Sequence, residues 1–357
     1  TPSISPDGGK IAFLTNNLSY FDIDLIDAVT GKKIKKLIKG SRSLDFEELK
    51  FLQPGISWSP DSEKIVFAAK SGSSDALYIV DVDSEEKEKI PFKLDGVFSA
   101  VWSPLGDKLA FVGYEKGASD IYIYDINKKE HYNLTNDIYS DSEPSWSPDG
   151  NSIAFVSDRD NAFNKSAATS QDMISVDYES KDIYIADVKT KRLNQITRTN
   201  YNEDYPIFSN TEKSLFYVAD SSGTWNLFKY DIPSKTTSIV TNLLTGIFQL
   251  SLNKFDDALV FSGYSNRGWD VYRLNNPLDL KEVEVEPTKF VLNKEFVEKE
   301  ELVDLRKDKW RGSDSNQSDY SRYIFAMEYE SYNEQKVEDN QNTSIRNTAL
   351  KNDFYSF

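Results

Sequence analysis

A tetrad reading Trp-Ser-Pro-Asp, followed a few residues later by an apolar run, recurs along the chain, and few architectures accommodate a unit repeated this closely. Its clearest copy is Pro144-Ser145-Trp146-Ser147-Pro148-Asp149-Gly150, then Ile153-Ala154-Phe155-Val156. Aligned on the signature serine, copies stand at Ser5, Ser59, Ser103 and Ser147, with degenerate copies at Ser209 and Asn253. Successive intervals are 54, 44, 44, 62 and 44 residues, so a period of 44 carries two insertions of 10 and 18 residues. A unit of this length is one supersecondary element that cannot bury its faces alone and must stack on its neighbours.

Each unit reads as four short strands. The first ends in the signature, as in Ala100-Val101-Trp102-Ser103, and a Ser-Pro-Asp-Gly turn follows, in which Pro sets φ and Gly tolerates positive φ. The second is apolar and β-prone, as in Ile65-Val66-Phe67-Ala68 or Leu215-Phe216-Tyr217-Val218. The third alternates, as in Asp120-Ile121-Tyr122-Ile123-Tyr124-Asp125 and Asp182-Ile183-Tyr184-Ile185-Ala186-Asp187, and a shorter fourth such as Tyr132-Asn133-Leu134-Thr135 closes the unit. Period-2 alternation between turn clusters favours strands over helices. Six such units close radially, which shields most strand edges. The expected fold is therefore all-β: a six-bladed β-propeller of four-stranded antiparallel blades over residues 1–276. Trp58, Trp102 and Trp146 are expected to pack between blades.

Residues 277–357 form a polar, partly aromatic C-terminal extension whose order the sequence leaves open. Glu282-Val283-Glu284-Val285-Glu286 is a candidate outer strand for the last blade, Gly312 to Gln317 reads as a linker, and Tyr320 to Tyr332 is aromatic enough to dock. The chain opens at Thr1 directly inside a repeat, which suggests a piece of something longer.

Composition narrows the function. A net charge of −16 disfavours nucleic acid or anionic lipid as the main partner, because both reward dense Lys and Arg. The absence of cysteine removes disulfides, thiolate metal sites and thiol nucleophiles. No apolar run approaches the roughly 18 residues a spanning helix needs. No Gly-x-Ser-x-Gly elbow, His-Glu-x-x-His pair or phosphate-cradling loop occurs, and the single histidine, His131, stands far in sequence from any nucleophile-like turn. No catalytic residue, metal ligand or cofactor is therefore expected.

Trp58-Ser59-Pro60-Asp61, Asp120-Ile121-Tyr122, Leu134-Thr135-Asn136-Asp137 ahead of Glu143-Pro144-Ser145-Trp146, and Ser157-Asp158-Arg159 together resemble the TolB-type propeller, a relative of the WD-repeat architecture. The resemblance covers residues 1–276. It implies a component of the bacterial envelope, periplasmic or outer-membrane-associated, that binds a protein or peptide partner through one propeller face and belongs to a larger polypeptide or complex. The α/β domain that precedes the propeller in TolB is not in this sequence. A second reading is the substrate-gating propeller of a serine peptidase similar to the prolyl oligopeptidase group, with its catalytic domain elsewhere. A third is a propeller lyase or glycan hydrolase with an acidic channel site.

Strand alternation assigns loops to faces. Every Ser-Pro-Asp-Gly turn opens on one face, whereas both insertions, near Gly40 to Gln53 and Arg159 to Lys181, open on the other. The first contains Asp45-Phe46-Glu47-Glu48-Leu49, where Asp45 and Glu48 suit a capping box for a short helix. Inserted loops are where repeat proteins place binding. The same face should receive Asp137, Asp141, Glu143, Asp158, Arg159, Glu203 and Asp204 around the channel mouth, as a rim for a partner segment or, through carboxylates, a divalent cation. The alternative is that these are solvated loop charges or blade-stabilising bonds, with Asp158 and Arg159 tying neighbouring blades.

Overall fold

The signature serine explains why the unit folds locally as it does. Ser59 Oγ accepts from the Lys64 amide at 2.8 Å and donates to Asp61, whose carboxylate in turn accepts from the Glu63 amide. Ser5 with Asp7 and Lys10, and Ser147 with Asp149 and Ser152, repeat the arrangement. In the degenerate copies Ser209 Oγ accepts from the Ser214 amide and Asn253 Oδ1 from the Ala258 amide, so the hydrogen bond persists where the motif does not. Each turn also needs a left-handed residue three positions on. Gly8, Gly106 and Gly150 supply it at φ 75°, 77° and 71°, whereas Ser62, Glu212 and Asp256 adopt it despite their Cβ atoms.

A computed structural model describes residues 1–17, 20–40, 48–50, 55–72, 74–159, 180–265, 267–292 and 354–356. Blade one holds β1 (Pro2–Ile4), β2 (Lys10–Asn17), β3 (Tyr20–Asp27) and β4 (Lys33–Lys39), paired antiparallel in that order. Blade two holds β5 (Glu48–Leu49), β6 (Ile56–Trp58), β7 (Lys64–Ser71), β8 (Ser74–Asp81) and β9 (Lys87–Pro91). Blade three is β10 (Gly96–Trp102), β11 (Lys108–Glu115), β12 (Ala118–Asp125) and β13 (Glu130–Asn133). Blade four is β14 (Asp141–Trp146), β15 (Ser152–Ser157), β16 (Asp182–Asp187) and β17 (Leu193–Gln195). Blade five is β18 (Glu203–Phe208), β19 (Ser214–Ala219), β20 (Asn226–Asp231) and β21 (Thr236–Ile239). Blade six is β22 (Ile247–Leu252), β23 (Ala258–Ser265), β24 (Gly268–Asn275) and β25 (Phe354–Ser356).

The fold is thus the six-bladed, four-stranded propeller that the repeat spacing predicts. Three local expectations are corrected. Blade two's inner strand is split, because β5 and β6 both pair with β7, and Glu48 lies in a strand instead of capping a helix; Asp45 lies outside the described residues. Glu282–Glu286 forms no strand. Its backbone instead runs along blade five, where the Val283 amide donates to the Ile239 carbonyl, and β25 takes the outer position of blade six through Tyr272↔Ser356. The fourth strand of blade three starts two residues early, at Glu130, and ends at Asn133. Gly312 to Gln317 and Tyr320 to Tyr332 lie outside the described residues.

Among the described residues there is no single central core. Buried side chains form six clusters, each shared by two adjacent blades, as where Trp58, Phe67 and Tyr78 of blade two meet Ile23, Leu25 and Ile38 of blade one. Trp58 Nε1 donates to the Ser3 carbonyl at 2.9 Å and Trp146 Nε1 to the Val101 carbonyl at 3.3 Å, so both bridge to the preceding blade. Trp102 differs: half-buried, it donates to the Gly106 carbonyl of its own turn. Each blade is built from consecutive strands, apart from the distant β25, so among the described residues no strand is exchanged between blades six and one. That seam closes on Ile4, Ile11 and Ile26 packed against Ala258 and Val260, and on Arg273 Nη1 donating to the Ala28 carbonyl. The propeller belongs to a compact unit of residues 1–291 with 352–357; residues 292–351 group separately.

Candidate functional site

The inner strands of all six blades wall a channel of about 500 Å³. Its lining is layered by the repeat. The residues just before the signature position supply an apolar belt of Ile4, Trp58, Trp102, Trp146, Phe208 and Leu252. The residues just after it supply Pro6, Pro60, Pro104, Pro148, Asn210 and Lys254 at the mouth on the turn face. The turn residues therefore contribute to the channel lining as well.

Four positions before the signature a third layer appears that sequence reasoning missed. Ser99, Glu143, Tyr205 and Gln249 have φ of 47°, 54°, 57° and 61°, and at each one the pairing with the second strand slips, as between Phe98 and Val101. These are β-bulges, in which one extra residue re-aims the strand. All four bulge residues line the channel, with Thr1 at the corresponding place in blade one. A non-glycine left-handed residue costs on the order of 1–3 kcal/mol, and the repetition of that cost in four blades marks the layer as a built feature. The residue types share nothing, so the only signal in sequence is their constant offset.

The seven rim residues separate into three groups. Asp141, Arg159 and Asp137 form one network: Arg159 Nη2 bonds both Asp141 oxygens at 2.7 and 2.8 Å and reaches Asp137 at 3.0 Å, while its Nε donates to Ser157 Oγ. The guanidinium carbon lies 5.2–5.5 Å from the ring centres of Tyr139, Phe155 and Tyr184. Asp137 also donates its amide to Asp120, which links blade three to blade four. Burial pushes Asp137 up and Asp141 up to about 7, against the pull of Arg159. Asp120, Asp137 and Asp141 stand close enough together to hold a metal ion, but the Arg159 guanidinium already supplies the compensating positive charge.

Asp158 and Glu203 are also tied into the framework. Asp158 accepts from the Ser140 amide at 2.7 Å. Glu203 is fully buried and accepts from Thr197 Oγ1 and, at 3.2 Å, from Thr199 Oγ1; burial raises its carboxyl to about 8. In the third group Glu143 lines the channel, and Asp204, whose charge acts on it, precedes the bulge at Tyr205. Glu143 Oε2 accepts from the Tyr205 amide at 2.6 Å, and Lys181 lies 4.0 Å from Asp204. Burial, and then the charge of Asp204, raises Glu143 to about 8; burial raises Asp204 to about 6, opposed by Lys181. The second insertion, residues 160–179, lies outside the described residues. His131 packs beside Phe92 and Tyr122 on β13, with no part in the channel.

Chemically, the arrangement offers a surface that an extended segment could occupy. A rigid apolar belt, open among prolines at one mouth and faced by carboxyls farther along, suits an amphipathic segment of extended polypeptide.

Residues 41–176 match the family profile of the TolB beta propeller domain. No curated protein matches the chain. Among solved structures it is similar to TolB from Acinetobacter baumannii, with a TM-score of 0.58 and 20% identity over 76% of this chain and 62% of that one. It thus spans less than two thirds of that protein. The putative TolB from Agrobacterium tumefaciens gives a TM-score of 0.51 at 17% identity, over 68% of this chain and 80% of that one. The β-propeller domain of the Trilobed protease from Pyrococcus furiosus, described as having an open velcro topology, gives 0.52 at 18% identity over 76% and 78%. Residues 41–176 thus match the TolB beta propeller domain, and the chain has the fold of a six-bladed β-propeller, similar to that of TolB.

Proposed function

We propose that the protein is a non-catalytic, polypeptide-binding propeller of the bacterial envelope, working in the periplasm or at the outer membrane as part of a larger assembly. The observation that carries the reading is the channel, where six blades converge an apolar belt on one continuous space. Rigid inter-blade packing holds that belt in place, so binding costs little ordering of the protein. Glu143, uncharged near neutral pH, offers the bound segment a hydrogen bond, and the neighbouring Asp204 attracts its basic groups; Asp137, Asp141, Asp158, Arg159 and Glu203 hold the surrounding loops. The likeness to a protease's propeller concerns fold, and the gating reading would use the same channel.

The test is capture of a polypeptide from envelope extract by the full chain and by two double variants. Pro104→Arg with Pro148→Arg narrows the mouth and should abolish capture; Glu143→Gln with Asp204→Asn should weaken it about tenfold. Both should keep the melting temperature within a few degrees. Undiminished capture by both variants contradicts the proposal.

A further inference from the structure

A cavity of about 410 Å³ lies at the seam of blades four and five and shares no lining residue with the channel. The end of β17 and the link after it form one wall, and Tyr217, Tyr230, Lys235 and Thr237 of blade five form the other. An exchange within the repeat brings a hydroxyl here. The residue eight positions after the signature is Phe13, Phe67, Phe111, Phe155 or Phe261 in five blades, but Tyr217 in blade five. Its cross-strand partner is Tyr78, Tyr122, Tyr184 or Tyr272 in four blades, but Phe228 in blade five. The two rings still stack with centres 5.3 Å apart, so the packing is kept while the hydroxyl moves to the second strand, at the cavity wall.

The charge of the lining runs against that of the chain. The protein carries a net charge of −16, yet among the described residues this lining holds two cations, Arg198 and Lys235, and no carboxylate. Both are exposed, and among the described residues neither forms an ion pair. Burial raises Tyr201 to about 12 and pushes Tyr217 and Tyr230 up as well, so all three phenols keep their protons at neutral pH. Two carboxyls touch lining residues and are already used by the framework. Glu203 accepts from Thr197 and Thr199, and Asp182 accepts from Gln195 and the Thr199 amide.

We propose that this cavity binds an anionic carbohydrate, a sugar acid or a sugar phosphate, with its charge met by Arg198 and Lys235 and its hydroxyls by the phenols. Its volume falls in the range of small-ligand sites, roughly 300–1,000 Å³, and a bare inorganic ion would leave most of it unfilled. An apolar ligand would cover phenol and guanidinium donors without offering them acceptors, which carries a desolvation cost. Arginine binds carboxylate and phosphate as a planar fork, and lysine binds either as a point charge. The two sugar classes therefore share the chemistry that the site reads. The neutral hydrogen-bonding groups around the cations are what separate it from a site for a simple ion.

The test is calorimetric titration of the full chain with glucuronate and with glucose 6-phosphate, against glucose, inorganic phosphate and an end-capped diglutamate peptide as controls. At least one sugar anion should bind, and all three controls should bind at least about tenfold more weakly. The preferred sugar anion identifies carboxylate or phosphate as the charged group. Arg198→Glu with Lys235→Glu should weaken binding at least about tenfold and leave the melting temperature within a few degrees, because both side chains are exposed and unpaired. Tyr217→Phe, which restores the residue of the other blades, should weaken binding about threefold or more. The proposal is overturned if neither sugar anion binds, if any control binds as tightly, or if the charge reversal or Tyr217→Phe leaves the affinity unchanged.

Discussion

At the scale of single residues, the structure repeats one hydrogen bond and one backbone conformation, and varies the residue that supplies them. Glu212 holds the left-handed turn position that Gly8, Gly106 and Gly150 fill elsewhere, and it is exposed. Glu212→Gly should therefore stabilise the protein by up to about 1 kcal/mol, because the relieved strain outweighs the added chain entropy. A raised melting temperature is the expected readout, and a lowered one contradicts the account of the turn. Glu203 makes a different prediction. Its carboxyl is raised by burial to about 8 from 4.5, so the folded state holds the proton more tightly than the unfolded state. The stabilisation is complete below about pH 4.5 and is lost as pH rises through about 8. Glu203→Gln mimics the protonated acid and should flatten that fall by on the order of 1 kcal/mol per pH unit. Urea unfolding across this range measures it, and an unchanged slope contradicts the assignment.

At the scale of elements, the legible and the illegible parts of the chain divide by range. Turns such as Ser59-Pro60-Asp61 announce themselves because the interactions that shape them lie within five residues. The partner of β24 could not be found that way, since β25 lies 79 residues beyond Asn275 at Phe354 and carries no repeat signature. Glu282–Glu286 alternates like a strand, yet its backbone is used along blade five instead. Of the candidate rim, the residue types were legible but their partners were not. Asp141 and Glu203 occupy the same place in successive blades, and one is met by Arg159 and the other by two threonines. Ring closure runs through side chains at the seam of blades six and one, and not through β25. A chain ended at residue 291 should therefore still unfold cooperatively, with a loss of about 1–3 kcal/mol from the three-residue outer strand. Loss of the cooperative transition would show that β25 closes the ring.

At the scale of the molecule, six shared clusters hold six blades around a space that none of them could enclose alone. The repeat that builds the walls also stacks the layers of the channel, with apolar belt, proline mouth and bulge ring each set by a fixed offset from the signature. The most direct measurement places a photoreactive phenylalanine analogue at Ile207 in the channel wall, and a control at Tyr132 on the outer strand of blade three, in protein exposed to envelope extract. The account predicts polypeptide adducts at position 207 that disappear when Pro104→Arg and Pro148→Arg narrow the mouth, and none at position 132. Adducts that persist in the narrowed variant, or that form equally at both positions, would contradict a channel that binds polypeptide.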